Sequence, residues 1–198
     1  MKRSVFLVIL IFLLIFFCYE KFEKELNINC LNLNNTSKNF YTFDRNVNIK
    51  IIKIKDKYRC FLEIVWLNTP NYRGSDIIGL IIENATIIKT SINFELRFYL
   101  KNKEYKSNTS LINSQNNGVS VLFKLPRSKN IKNIVITLSF DFESSNKEID
   151  IYSDYSHLLK KNKKTKDYFM SHKGLVLDDS IYSFYDDAPV MLLHFNLE

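Results

Sequence analysis

Between Thr86 and Lys101 the apolar residues Ile88, Ile92, Phe94, Leu96, Phe98 and Leu100 fall on one side of the chain, and Lys89, Ser91, Asn93, Glu95, Arg97 and Lys101 on the other. A period of two sends successive side chains to opposite faces of an extended strand, so this segment predicts one long strand with a single apolar face. Burying six such side chains is worth roughly 9–18 kcal/mol gross. Ordering about 15 residues of backbone costs a similar amount. A strand of this kind cannot stand alone and requires a second apolar layer.

The same periodicity recurs along the chain. Val47 to Lys55 is rich in isoleucine, and Tyr58 to Leu67 places Tyr58, Cys60, Leu62, Ile64 and Trp66 on one side. Ile77 to Ile82 is an unbroken apolar run, the pattern of a strand buried on both faces. Asn116-Asn117-Gly118 is a hairpin-type turn leading into Val119, Val121, Phe123 and Leu125, stopped by Pro126. Ile134, Ile136, Leu138, Phe140 and Phe142 form another alternating set, and Ser144-Ser145-Asn146 turns the chain into a short strand at Glu148 to Tyr152. Residues 157–173 are lysine-rich and read as a short helix or a loop, and Val190 to Leu197 reads as one more strand. Strands with one apolar face, separated by turns every ~8–15 residues, imply a mostly β domain built as a two-layer antiparallel β-sandwich, with a β-barrel as the alternative. An immunoglobulin domain is disfavoured because Trp66 shares a strand with Cys60 instead of lying between two bridging cysteines.

Ahead of the strands, Lys2 and Arg3 precede an apolar run from Val5 to Cys18, 14 residues long. A basic start followed by an apolar stretch of this length is the layout of an export signal, and the preceding positive charge keeps that end cytoplasmic. The run is shorter than the roughly 17–25 residues of a self-sufficient membrane-spanning helix. Cys18 stands where a bacterial lipoprotein carries its lipidated cysteine, and the segment resembles such a signal, with Ile15 and Phe17 at the −3 and −1 positions. The resemblance implies lipid anchoring at Cys18. An uncleaved N-terminal helix anchor is the equal alternative, and ordinary secretion the lesser one. The expected organisation is therefore a signal peptide or anchor over residues 1–18, a polar tether over 19–46, and a single β-rich domain over 47–198 on the extracytoplasmic, membrane-anchored side.

Length and composition fit one ordinary globular domain: 198 residues, 46% hydrophobic and 25% charged. Of the net charge of +7, Lys2 and Arg3 supply two, leaving +5 for the remainder. With no basic stripe interleaved with aromatics, that balance gives no support for a nucleic-acid partner. Glycine is scarce at 4 residues, while Asn, Lys and Ile abound, a bias that fits an AT-rich coding sequence. In an exported chain the pair Cys30 and Cys60 suggests a disulfide, the alternative being a buried free thiol at Cys60. Sequons at Asn34, Asn35, Asn84 and Asn108 are of the number expected by chance in an Asn-rich chain.

No nucleophile motif, metal box or cofactor loop stands out, so neither a cofactor nor a metal is expected. His194, in strand-like alternation, reads as a strand-surface histidine. The candidate binding residues are the tyrosines Tyr152, Tyr155, Tyr182 and Tyr185, which suit sugar stacking or protein anchoring, and the basic run Lys160, Lys161, Lys163, Lys164 and Lys166, which suits an anionic surface. Together these features point to a membrane-tethered extracytoplasmic binding module whose partner is a protein or a surface glycan. Two alternatives are a glycan-processing or other hydrolase using Asp178, Asp179, Asp186 or Asp187 with His172, and a lipid-binding barrel.

Overall fold

The computed structural model describes residues 38–41, 45–71, 73–128, 130–158, 168–177 and 190–197. These belong to a compact unit that begins at Thr36. The export segment with Cys18, and Cys30, Lys160, Lys161, Lys163, Lys164, Lys166, Tyr182, Tyr185, Asp178, Asp179, Asp186 and Asp187, lie outside the described residues.

Fourteen strands are described, and every pairing between them is antiparallel. They are β1 (Lys38–Tyr41), β2 (Arg45–Ile54), β3 (Lys57–Trp66), β4 (Ser75–Ile82), β5 (Thr86–Ile87), β6 (Asn93–Leu100), β7 (Lys103–Ser107), β8 (Ser110–Ser114), β9 (Gly118–Lys124), β10 (Ile131–Glu143), β11 (Glu148–Ser156), β12 (Tyr168–Ser171), β13 (Gly174–Leu177) and β14 (Met191–Asn196). One sheet, sheet A, runs β1-β2-β3-β10-β6-β7, with β5 also paired to β10. The second, sheet B, runs β14-β11-β4-β9-β8. Among the described residues each sheet is an open ladder, and neither closes on itself, so the fold is a β-sandwich and not a closed barrel.

Alternation explains the core. Val47, Ile49 and Ile51 of β2, Cys60, Leu62, Ile64 and Trp66 of β3, and Ile136, Leu138, Phe140 and Phe142 of β10 meet Ile78, Leu80 and Ile82 of β4, Val119, Val121 and Phe123 of β9, and Ile149 and Ile151 of β11. Ile131 and Ile134 are three residues apart and yet both buried, because β10 carries a bulge between Lys132 and Val135 with Asn133 in the left-handed region.

A second, smaller cluster lies on the outer side of sheet B. There β12 and β13 form a two-stranded ribbon whose Tyr168, Met170, Leu175 and Leu177 pack on Ile77 and Ile81 of β4. This is why Ile77 to Ile82 reads as an unbroken apolar run: the strand is buried on both faces. Gly79 makes the close approach possible, since a Cβ there would stand 2.7 Å from Met170 Sδ and 2.8 Å from Leu175 Cδ2.

The structure departs from the sequence expectations at several points. The segment Thr86–Lys101 is not one strand: a 3-10 turn at Lys89–Ser91 separates β5 from β6. The Ser91 hydroxyl holds that break, donating to Ile88 O and accepting the Asp141 backbone N–H at 2.7 Å. Within the expected tether, Lys38–Tyr41 is an edge strand paired with β2. Residues 168–171, expected as helix or loop, are β12. The edge strands β7, which is mostly polar, and β8, where Leu111 and Ile112 are adjacent, carry no clean alternation and were not expected. Cys60 is a free, fully buried thiol whose pKa burial pushes up, in keeping with the alternative of a core thiol, while its expected partner Cys30 lies outside the described residues.

A Gly79→Val substitution is expected to lift the ribbon from β4 and destabilise the domain by about 1–3 kcal/mol. Urea denaturation reads the cost, and limited proteolysis reads earlier cleavage around residues 168–177.

Candidate functional site

Three polar constellations stand out against the aliphatic core. The most buried closes one end of the space between the sheets. Parity along each strand turns Arg45 and Trp66 of sheet A inward, together with Asp76 and Tyr155 of sheet B and the adjoining His157. Asp76 is 0% exposed, and its carboxylate accepts from three sides. The Tyr155 hydroxyl donates to Oδ2, His157 Nδ1 lies 2.9 Å from the same oxygen, and the Leu158 backbone N–H donates to Oδ1 at 3.2 Å. The indole Nε1 of Trp66 in turn donates to Tyr155 Oη at 3.3 Å. The Arg45 guanidinium sits 4.9 Å from the Trp66 ring centroid and 4.8 Å from that of Tyr155, a cation–π arrangement away from water. Burial, and then the Asp76 charge, push the Tyr155 phenol well above its ordinary value. Such a network ties four strands together and is costly to break.

The second constellation is on the outer face of sheet A. Asp141 of β10, its side chain nearly inaccessible, is held by Arg59 Nε and Lys57 Nζ of β3, each at 2.5 Å. The Arg59 hydrogen bond, with Lys57 adding to it, lowers the Asp141 carboxyl below the usual carboxylate range despite its burial.

The third is half exposed, on the outer side of sheet B at the end away from Asp76. His194 Nδ1 of β14 lies 2.8 Å from Asp150 Oδ1 of β11, and His172 Nε2 in the ribbon turn lies 3.4 Å from Glu83 Oε1. Tyr152 links the two pairs. Its ring packs on His172 at 5.0 Å, and burial followed by the Glu83 and Asp150 carboxylates raises its phenol. Beside this cluster a shallow depression of about 550 Å³ is lined by Asn84, Ser145, Asn146, Glu148, Asp150 and His194, among others.

Among the expected binding residues the structure separates Tyr152 from Tyr155. They stand on opposite faces of β11, with Tyr152 on the half-exposed outer side and Tyr155 in the core, where it closes the buried network instead of meeting a partner. His194 is a strand-surface residue as expected, and it has a carboxylate partner. Arg45, Asp76 and His157 were missed. Their signal was parity: Asp76 continues the series of Ile78 and Leu80, and His157 that of Ile151 and Tyr155. Among the described residues no group of three or more His, Cys, Asp or Glu side chains is arranged to hold a metal. Nor is any helix among them long and apolar enough to cross a membrane.

Neither a protein-family model nor a curated protein matches the sequence. Several solved structures share a partial likeness. One is a manganese lipoxygenase of Gaeumannomyces graminis described together with part of a zonadhesin of Komagataella pastoris, at 7% identity and a TM-score of 0.41, covering 81% of this chain and 56% of that one. Another is the collagen-binding subdomain of the Enterococcus faecalis surface protein ACE, at 10% identity and 0.40, covering 74% and 90%. A third is the collagen-binding domain of a Staphylococcus aureus adhesin, at 13% identity and 0.37, covering 70% and 87%. Likeness at this level assigns neither family nor function, and the β-sandwich assignment stands on the chain's own strand order.

Two substitutions probe the buried network: Tyr155→Phe is expected to cost about 1–3 kcal/mol by leaving Asp76 short of a donor, and Asp76→Ala about 3–5 kcal/mol, both read by urea denaturation. Asp141 supplies a pH test. Because its folded pKa is lowered, its contribution is present above the unfolded value near 3.8 and is lost as pH falls through the folded one. Half-exposed partners limit that contribution to about 1 kcal/mol. Asp141→Asn should therefore narrow the stability difference between pH 6 and pH 3, measured by the shift in denaturant midpoint.

Proposed function

We propose that this chain is an extracytoplasmic, membrane-tethered binding module that recognises a protein or a surface glycan through the outer side of sheet B. One observation carries the reading. Leu111, Phe169, Val176 and Leu192, half of the large hydrophobic residues left exposed among the described residues, lie on that side. Phe169 and Val176 are cross-strand partners on the outward face of the ribbon, and Leu111 and Leu192 project from β8 and β14, the two edge strands beside it. Leu111 is the most open of them at 65% exposure. Its strand is tied to the ribbon by hydrogen bonds from Tyr168 Oη to Leu111 O at 2.7 Å and from Asn113 Nδ2 to Tyr168 O at 2.8 Å. Apolar side chains gathered on one side and rimmed by polar groups mark interaction surfaces more often than the same residues scattered singly. The tether is supported by the basic-apolar layout of residues 1–18.

The reading predicts recovery of the chain from membrane fractions, with an intact mass of either the full chain or a chain beginning at Cys18 with acyl groups added. It also predicts that a photoreactive phenylalanine analogue at Phe169 or Leu192, expressed in intact cells, forms a covalent adduct. The same probe at Tyr99, on the outer face of sheet A, should form none. A chain found only in the cytosol, or equal labelling at all three positions, would sink the proposal.

A further inference from the structure

We infer that the depression between the turn after β4, the β10–β11 turn and β14 is a saccharide site, selective for neutral sugars; this rests on the binding-module reading and gives it a ligand class. Its lining carries amide, hydroxyl, imidazole and carboxylate groups from Asn84, Ser145, Asn146, Asp150 and His194. Amides both donate and accept, a hydroxyl does the same, and carboxylates accept; that mixture matches the paired donor–acceptor character of sugar hydroxyls. Asp150 is pre-positioned by its 2.8 Å contact with His194, so binding a hydroxyl requires little reordering of the side chain.

Two larger side chains follow along the same face, next to the lining and not part of it. Tyr152 lies two residues along the same face of β11 from Asp150, and Leu192 lies directly across from it on β14. Leu192 is 55% exposed, and the Tyr152 ring is braced from its other neighbour, His172. A sugar ring has an edge of hydroxyls and a face of C–H groups, and an aromatic side chain next to convergent polar groups accommodates both. At about 550 Å³ the depression is of the size of small-ligand sites.

Charge sets the selectivity. Glu148 and Asp150 in the lining outnumber its one cation, Lys147, and Glu83 adds a further carboxylate beside Tyr152. Sialylated, sulfated or uronic saccharides would meet like charge here, whereas neutral hexoses and N-acetylhexosamines would not.

The full-length chain in detergent, applied to an array printed with neutral, N-acetylated, sialylated and sulfated oligosaccharides, tests this. Binding is expected on neutral or N-acetylated sugars, at least ten-fold weaker for Asp150→Ala and for Asn146→Ala and unchanged for Thr137→Ala on the outer face of sheet A. Asn146 lies in an exposed turn, so its substitution reads the site even if removing Asp150 disturbs the fold. A blank array, binding confined to anionic sugars, or binding that survives both substitutions would overturn the site. A blank array together with a protein adduct at Phe169 or Leu192 would remove the saccharide and leave the binding module standing.

Discussion

The whole architecture depends on β4 having two buried faces. Its Ile78, Leu80 and Ile82 enter the core between the sheets, and its Ile77 and Ile81 are covered by the ribbon. A strand in the middle of sheet B with water on its outer face would leave that isoleucine pair exposed, each side chain forgoing about 1.5–3 kcal/mol of burial. The ribbon is as dependent on β4 as β4 is on it, because two strands alone are marginal in water. Gly79 permits this mutual cover by letting Met170 and Leu175 reach the backbone. Asp154 fixes the far side of the ribbon by accepting the Leu175 N–H at 2.7 Å.

Much of this was legible in the sequence, for a physical reason: alternation survives wherever one face is buried. The inward sets of β3, β9 and β10 follow the expected parity residue for residue, and the run Ile77–Ile82 announced a strand without a wet side. What failed to show was decided by contacts distant in sequence. The break at Lys89–Ser91 depends on the Ser91 hydroxyl meeting the Asp141 backbone, 50 residues away. β7 and β8 are edge strands, and neither has the alternation that would betray it. The ribbon is four residues a strand, too short for a periodic signal.

The candidate sites were less legible than the fold. Tyr152 and Tyr155 look equivalent in a list of late tyrosines, yet three residues of strand set them on opposite faces and give them opposite roles. The Asp76 network was written in the same parity as the isoleucines, since a charged residue that continues an inward series is either mispaired or part of a buried network. Here it is the second, with Arg45, Trp66, Tyr155 and His157 around it. The pairings Asp150–His194 and Glu83–His172 come from register and from the ribbon turn, which no local pattern specifies.

The scarcity of glycine leaves its mark in the turns. Lys55, Asn84, Lys101, Asn102 and Asn133 all take positive φ, and Gly174 is the only glycine among the described residues that does. An L-residue in that region is disfavoured by about 1 kcal/mol or more relative to glycine, asparagine less than lysine. The chain thus folds with hairpins that are tense by composition, and its core must be strong enough to carry them. Such turns are an untouched reserve: replacing the two lysines with glycine would relax the backbone without altering a single buried contact, so this sandwich can be made more robust from its rim inward.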